Sequence, residues 1–153
     1  MKKSAGILVF RKIKTLEVFL IHPGGPFWQN KDLNSWSIPK GEVEKETNLL
    51  ETALREFKEE TGINLKEDKE KIFYLGKCQS SNKVLYVFAL NKNLGEIKIK
   101  SKFIKIEWPV GSNKKIKITE VDKGEYFDLK TAKEKLVNYQ KVIIDKLKNK
   151  LQN

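Results

Sequence analysis

The chain is poor in the side chains that support covalent and soft-metal chemistry. Its 153 residues hold one cysteine, Cys78, and one histidine, His22, so no internal disulfide, zinc cluster or nucleophilic triad can be assembled. A lone thiol points to a reducing, cytoplasmic setting, with Cys78 read as a strand residue that carries no chemistry. No Pro-, Gly- or Ser-rich linker divides the sequence, which predicts one domain over residues 1–153. No apolar run is long enough to span a membrane. Met1-Lys2-Lys3-Ser4 leads into the stretch Ala5–Phe10, which Arg11, Lys12 and Lys14 interrupt, so it reads as a strand and not as a secretory leader.

Arginine is nearly absent as well. Arg11 and Arg55 are the only two among 31 basic residues, so lysine is the default cation and an arginine at position 55 reads as chosen for its planar fork, which can hold a carboxylate bidentately. The competing reading is a surface arginine paired with Glu51 or Glu59, four residues away. The net charge of +11 suggests a polyanionic partner, although lysine spread along the whole chain also serves solubility. The densest basic stretch, Lys98–Lys117, interleaves Phe103, Ile104 and Trp108 with lysines and keeps RNA or nucleotide contact open.

What is present in abundance is acid on one segment. Gly41 to Ile63 sets Glu56, Glu59 and Glu60 on a single helix, with no cation placed along it to neutralise them, while Leu50, Ala53, Leu54, Phe57 and Thr61 form the expected opposing apolar stripe. Carboxylates three and four apart repel. A divalent ion removes the repulsion, and hard oxygen ligands suit magnesium, calcium or manganese better than zinc. The plainer alternative is a solvated acidic face. Asn48 is placed to cap this helix, Glu51 to complete a capping box and Gly62 to end it, which predicts helix over Leu49–Thr61.

Around it the chain reads as strands. Ser4–Arg11 and Leu16–His22 suggest a hairpin, followed by the turn-rich His22-Pro23-Gly24-Gly25-Pro26-Phe27-Trp28. Lys71–Ser80, Lys83–Leu90, Ile97–Glu107, Lys115–Thr119 and Gly124–Phe127 also carry strand patterns. Leu129–Leu151, with Ala132, Leu136, Tyr139, Val142, Ile143 and Leu147 at helical spacing, predicts one long amphipathic helix. Strands mixed with helices indicate a layered α/β domain.

Gly41, Arg55-Glu56-Phe57, Glu59-Glu60 and Gly62-Ile63 resemble the Nudix hydrolase signature G-x5-E-x7-R-E-U-x-E-E-x-G-U, in which U is a bulky apolar residue. Eight of its nine fixed positions are present; the first glutamate is Thr47 here, with Glu44 and Glu46 close by. Trp36-Ser37-Ile38-Pro39-Lys40-Gly41, Glu107-Trp108-Pro109 and Glu120 to Phe127 extend the likeness to a bacterial subgroup similar to the diadenosine tetraphosphate hydrolases. The resemblance implies a mixed sheet sandwiched between helices, an α/β/α arrangement. It implies hydrolysis of a phosphoanhydride in a nucleoside diphosphate-linked substrate, with magnesium as cofactor and manganese as a substitute. A nucleoside triphosphate, an RNA 5′ end, or a nucleotide sensed without turnover are the alternatives.

The likeness assigns metal binding to Glu56, Glu59 and Glu60 and to the Gly41 carbonyl, and makes Arg55 an orienting residue. The catalytic base falls on the signature helix or on a loop glutamate, for which Glu120 is the candidate, a plain surface acid being the alternative. For the substrate, Lys40 is set to reach phosphate. Tyr86 occupies the strand where the related hydrolases carry a base-stacking tyrosine, and core packing competes with that role. His22 is read as either a phosphate contact or a structural donor.

Overall fold

The computed structural model describes residues 1–45 and 47–152, so Glu46 lies outside the described residues. Eight strands form: β1 Lys2–Lys12, β2 Leu16–Pro23, β3 Lys40–Glu42, β4 Phe73–Gln79, β5 Lys83–Asn91, β6 Phe103–Glu107, β7 Lys115–Thr119 and β8 Val121–Asp128. The helices are α1 Leu49–Thr61, α2 Leu129–Lys135 and α3 Val142–Gln152, with 3-10 turns at Lys66–Lys71 and Asn138–Gln140.

The main sheet runs β4-β5-β1-β2-β8, with β3 paired to the N-terminal half of β1. It is mixed: β1 and β5 are parallel over Lys2–Phe10, and the remaining pairs are antiparallel. Strand alternation gives it two apolar faces. Ile7, Val9, Phe19 and Ile21 pack on Ala53 and Phe57 of α1, whereas Leu8, Phe10, Val18 and Leu20 pack on Ala132 and Leu136 at one end and Ile143 and Leu147 at the other. The α/β/α expectation is met. Among the described residues β6 and β7 pair only with each other, as a ribbon beside the sheet.

Helix α1 has the expected bounds. The Asn48 side chain accepts from the Glu51 N–H at 2.7 Å, and Gly62, at φ 82°, returns its N–H to Lys58 O at 2.8 Å. The capping box does not close, because the Glu51 carboxylate takes a hydrogen bond from Lys69 Nζ at 2.6 Å. The expected opposition of carboxylates to an apolar stripe is also corrected. Glu56 and Glu60 are buried together with Ala53 and Phe57, since positions 53, 56, 57 and 60 are spaced to share one side of a helix.

The strand pattern overreaches at Ile97–Glu107, where only Phe103–Glu107 is strand, and at Lys71–Ser80, where a 3-10 turn runs to Lys71 and the strand begins at Phe73. The long C-terminal helix is broken. Leu136 and Val137 are extended (ψ 145° and 144°) because they pair with the loop before β3. Val137 N–H donates to Trp36 O at 2.9 Å, and Trp36 N–H to Lys135 O at 2.9 Å. The break turns Gln140 into the interior, where its Oε1 accepts from the Ile38 N–H at 3.1 Å and its Nε2 donates to Ser37 Oγ at 2.9 Å. Cys78 is buried in β4, and burial pushes its thiol up to about 11.

Candidate active site

Backbone pairing sets the acidic residues in place. The end of α1 lies along residues 100–102, whose Lys100 and Lys102 N–H groups donate to Thr61 O and Glu59 O at 2.9 and 3.0 Å, filling carbonyls that a helix end leaves unpaired. The Glu120 N–H in turn donates to Lys102 O at 3.0 Å, which carries Glu120 to the same place. From the opposite side, the Lys40 N–H donates to Glu60 Oε1 at 2.8 Å. The Glu56 carboxylate lies directly on Gly41, so closely that a Cβ there would overlap it.

Burial and cations then divide the carboxylates into two kinds. Burial pushes Glu60 up to about 8, against the pull of Lys40, and the charges of Glu120 and Glu56 push the same way. Burial also raises Glu56, helped by Glu59 and opposed by Arg55 and Lys102. For Glu59 burial is outweighed: hydrogen bonds from Lys102 and Arg55 hold it below the usual carboxylate range. Among the described residues Glu120 Oε2 is buried with no hydrogen-bond partner, and Lys102 Nζ stands 3.7 Å away.

The expectation that no cation neutralises the cluster is therefore wrong. Arg55 Nη1 bridges Glu56 at 3.1 Å and Glu59 at 3.2 Å, one nitrogen serving two carboxylates instead of a fork gripping one. Lys102 Nζ donates to Glu59 Oε2 at 3.1 Å from 43 positions further along the chain. Sequence spacing on one helix cannot report such a partner.

Two cavities meet at Lys40, Lys83 and Glu120. One, about 430 Å³, is lined by those residues with Glu56, Lys2 and Lys102; the other, about 320 Å³, adds Glu60, Trp28, Tyr139 and Gln140. Two expected contacts are absent from both. Tyr86 pairs with Ala5, which itself pairs with Gly41, and alternation along β5 sends it away from Lys83 into a separate cavity beside Thr47, Leu49 and Phe88. His22 is 1% exposed, with Nδ1 3.0 Å from Asp122 Oδ1 and Nε2 2.6 Å from Lys31 O, so it is a structural hydrogen-bonding residue.

A NUDIX domain family model matches residues 1–147. The chain belongs to the Nudix hydrolase family. It is 35% identical over 68 residues to the mouse bis(5′-nucleosyl)-tetraphosphatase (asymmetrical), a match over 40% of this chain and 42% of the mouse protein. The chain thus aligns with about two fifths of that relative's length. Its fold is similar to the Caenorhabditis elegans Ap4A hydrolase binary complex (TM-score 0.64, 19% identity, 99% of this chain and 98% of that one). It is also similar to the NUDIX domain of Shewanella oneidensis NrtR complexed with ADP ribose (TM-score 0.65, 16% identity, 97% and 87% covered).

The family implies a divalent metal, and the residues can be tested for fit. All donors near Gly41 are hard oxygens, as a magnesium-class ion requires. Among the described residues Glu120 presents a buried oxygen without a hydrogen-bond partner, and the Glu56 and Glu60 carboxyls are raised by burial and by neighbouring carboxylates. Among the described residues no three acidic, histidine or cysteine side chains close around a common point, and Arg55 and Lys102 hold Glu59. The expected donors Gly41, Glu56, Glu59 and Glu60 thus form an open set in this structure. An open set fits an ion that keeps waters and shares its sphere with phosphate.

The residues that sequence reasoning missed are Lys2, Lys83, Lys102, Trp28, Tyr139 and Gln140. Only Lys102 carried a signal, as part of the basic stretch Lys98–Lys117.

Proposed function

We propose that the chain hydrolyses a phosphoanhydride bond in a nucleoside diphosphate-linked substrate, a dinucleoside polyphosphate, with magnesium or manganese as cofactor. The observation that carries this reading is the shared cavity in which Lys2, Lys40, Lys83 and Lys102 surround Glu56 and Glu120. Cations alone would suit any polyanion. Cations interleaved with buried carboxylates suit a phosphate chain that arrives with its own divalent ion.

In this reading the lysines bind non-bridging phosphate oxygens, and Glu56, Glu59, Glu60 and the Gly41 carbonyl hold the metal. When bound, the ion neutralises phosphate charge and makes a coordinated water more acidic. Arg55 orients Glu56 through the 3.1 Å contact. Glu120 Oε2, which has no hydrogen-bond partner among the described residues, accepts the proton of the attacking water. Tyr139, turned into the cavity by the break after α2, offers a face to one nucleobase, with Lys83 Nζ 4.9 Å from its ring centre. The aligned mouse relative, a dinucleoside tetraphosphatase by name, supports the substrate class.

The test is product analysis with magnesium over a panel of diadenosine tetraphosphate, nucleoside triphosphates, ADP-ribose and 5′-triphosphorylated RNA. Fastest turnover of the dinucleotide supports the reading. Faster turnover of RNA or of a triphosphate overturns the substrate class, and binding without turnover overturns the enzyme.

A further inference from the structure

The ribbon β6–β7 has an apolar face that neither core uses. Alternation places Ile104, Ile106, Ile116 and Ile118 on one side and Phe103, Lys105, Lys115 and Lys117 on the other. None of the four isoleucines belongs to the clusters on either side of the main sheet. What meets them is the loop after β2. A Cβ at Gly25 would lie 2.6 Å from Ile118 Cδ1, and one at Gly24 would overlap Thr119 O, so two glycines allow the ribbon to close on the loop. The Gly24 N–H donates to Glu120 O at 2.9 Å and fastens the contact.

Beyond those glycines the two walls separate and leave a cavity of about 340 Å³ between Phe27, Trp28, Trp108 and Ile118. That size is within the range of small-ligand sites. Phe27 and Trp28 meet edge to face with ring centres 5.0 Å apart, and Lys31 Nζ lies 3.5 Å from the Phe27 centre and 5.4 Å from that of Trp28. The cavity is continuous with the carboxylate site, since Pro23, Trp28 and Glu120 line both this groove and the one holding Glu60 and Tyr139.

We infer that the Trp28–Trp108 groove is the subsite for the second nucleobase of a two-headed substrate, joined through Trp28 and Glu120 to the cavity that holds Tyr139. The inference rests on the proposed hydrolysis of dinucleoside polyphosphates. Its grounds are continuity and chemistry: from the carboxylate site one aromatic-walled recess opens at Tyr139 and a second between Trp28 and Trp108, and indole faces bind any flat base without reading its edges. Lys31 places a positive charge beside the aromatic pair.

The experiment compares diadenosine tetraphosphate with adenosine tetraphosphate, which has equal phosphates and one base, in wild type, Trp108→Ala and Trp108→Phe. The groove predicts that Trp108→Ala raises KM for the two-base compound about tenfold, the scale of one lost stacking contact. KM for the one-base compound should stay constant, and Trp108→Phe should restore most of the loss. Equal effects on both compounds, or none on either, overturn the proposal. Binding is also read without turnover, by quenching of tryptophan fluorescence with diadenosine tetraphosphate in chelator. If wild type shows Trp108-dependent quenching but no hydrolysis, the groove stands and the enzymatic reading fails. If hydrolysis proceeds and Trp108→Ala alters only the sedimentation of the protein, the groove is an interface between copies and the proposal falls.

Discussion

The Glu56 carboxylate rests on the Cα of Gly41, in space that any side chain at position 41 would take. Gly41→Ala should therefore displace Glu56 while β3 keeps its pairing with Ser4, Ala5 and Gly6. Displacing a site group by about 1 Å costs on the order of 100-fold in rate. The expected result is a loss of that size in kcat/KM with α1 still folded by circular dichroism. Wild-type turnover in Gly41→Ala would contradict the placement of Glu56 at the reacting phosphate.

Glu60 makes the metal-free fold sensitive to pH. Its folded value is raised to about 8 from 4.5, so between these limits the unfolded chain releases a proton that the folded chain keeps, and stability falls as pH rises. The contribution is complete below the unfolded value and gone above the folded one. Glu60→Gln cannot lose it. In chelator, the Tm of wild type should drop relative to Glu60→Gln between pH 5 and pH 8; parallel Tm curves would refute the buried, raised carboxyl.

Lys102 holds Glu59 and faces Glu120, which sets two roles against each other. Lys102→Met frees those carboxylates, so the magnesium concentration for half-maximal activity should fall by up to about fivefold, as expected from an exposed ion pair worth roughly 0.2–1 kcal/mol. It also removes a cation from the phosphate cavity, so substrate KM should rise. Movement of both in one direction would argue against a shared position.

Thr47 lines the Tyr86 cavity, and Glu44 of the same loop is among the charges that act on Arg55. Glu44→Gln should raise the half-maximal magnesium concentration, and adding Thr47→Glu should bring it back. If Glu44→Gln leaves the magnesium titration unmoved, Glu44 does not stand in for the missing signature glutamate.

The two tyrosines should separate cleanly. Tyr139→Ala removes a ring from the cavity beside Lys83 and Gln140 and should raise KM for diadenosine tetraphosphate about tenfold, whereas Tyr86→Ala should leave it unchanged. A reversed outcome would move the nucleobase to the α1 face of the sheet.

Local chemistry was legible in the sequence wherever one segment carries it. The bounds of α1 follow from Asn48 and Gly62, the pairing of β1 with β2 from alternation, and the family from spacing between Gly41 and Ile63, because caps, alternation and helical repeat all act within a few residues. The layered α/β class followed from the same patterns, and the sheet with helices on both faces from the family resemblance.

What the tertiary structure decided is which distant groups meet. Lys102 reaches the acidic helix only because residues 100–102 pair with its final carbonyls, and Tyr139 and Gln140 enter the site only because Trp36 takes hydrogen bonds that a continuous C-terminal helix would have kept for itself. The side of the sheet on which Tyr86 falls depends likewise on the register of β5 against β1, where a shift of one residue would exchange it with Leu85. Spacing along a chain fixes which residues share a helix or a strand face; the closing of loops between them fixes which cations face which carboxylates, and so which of the acids is left free to react.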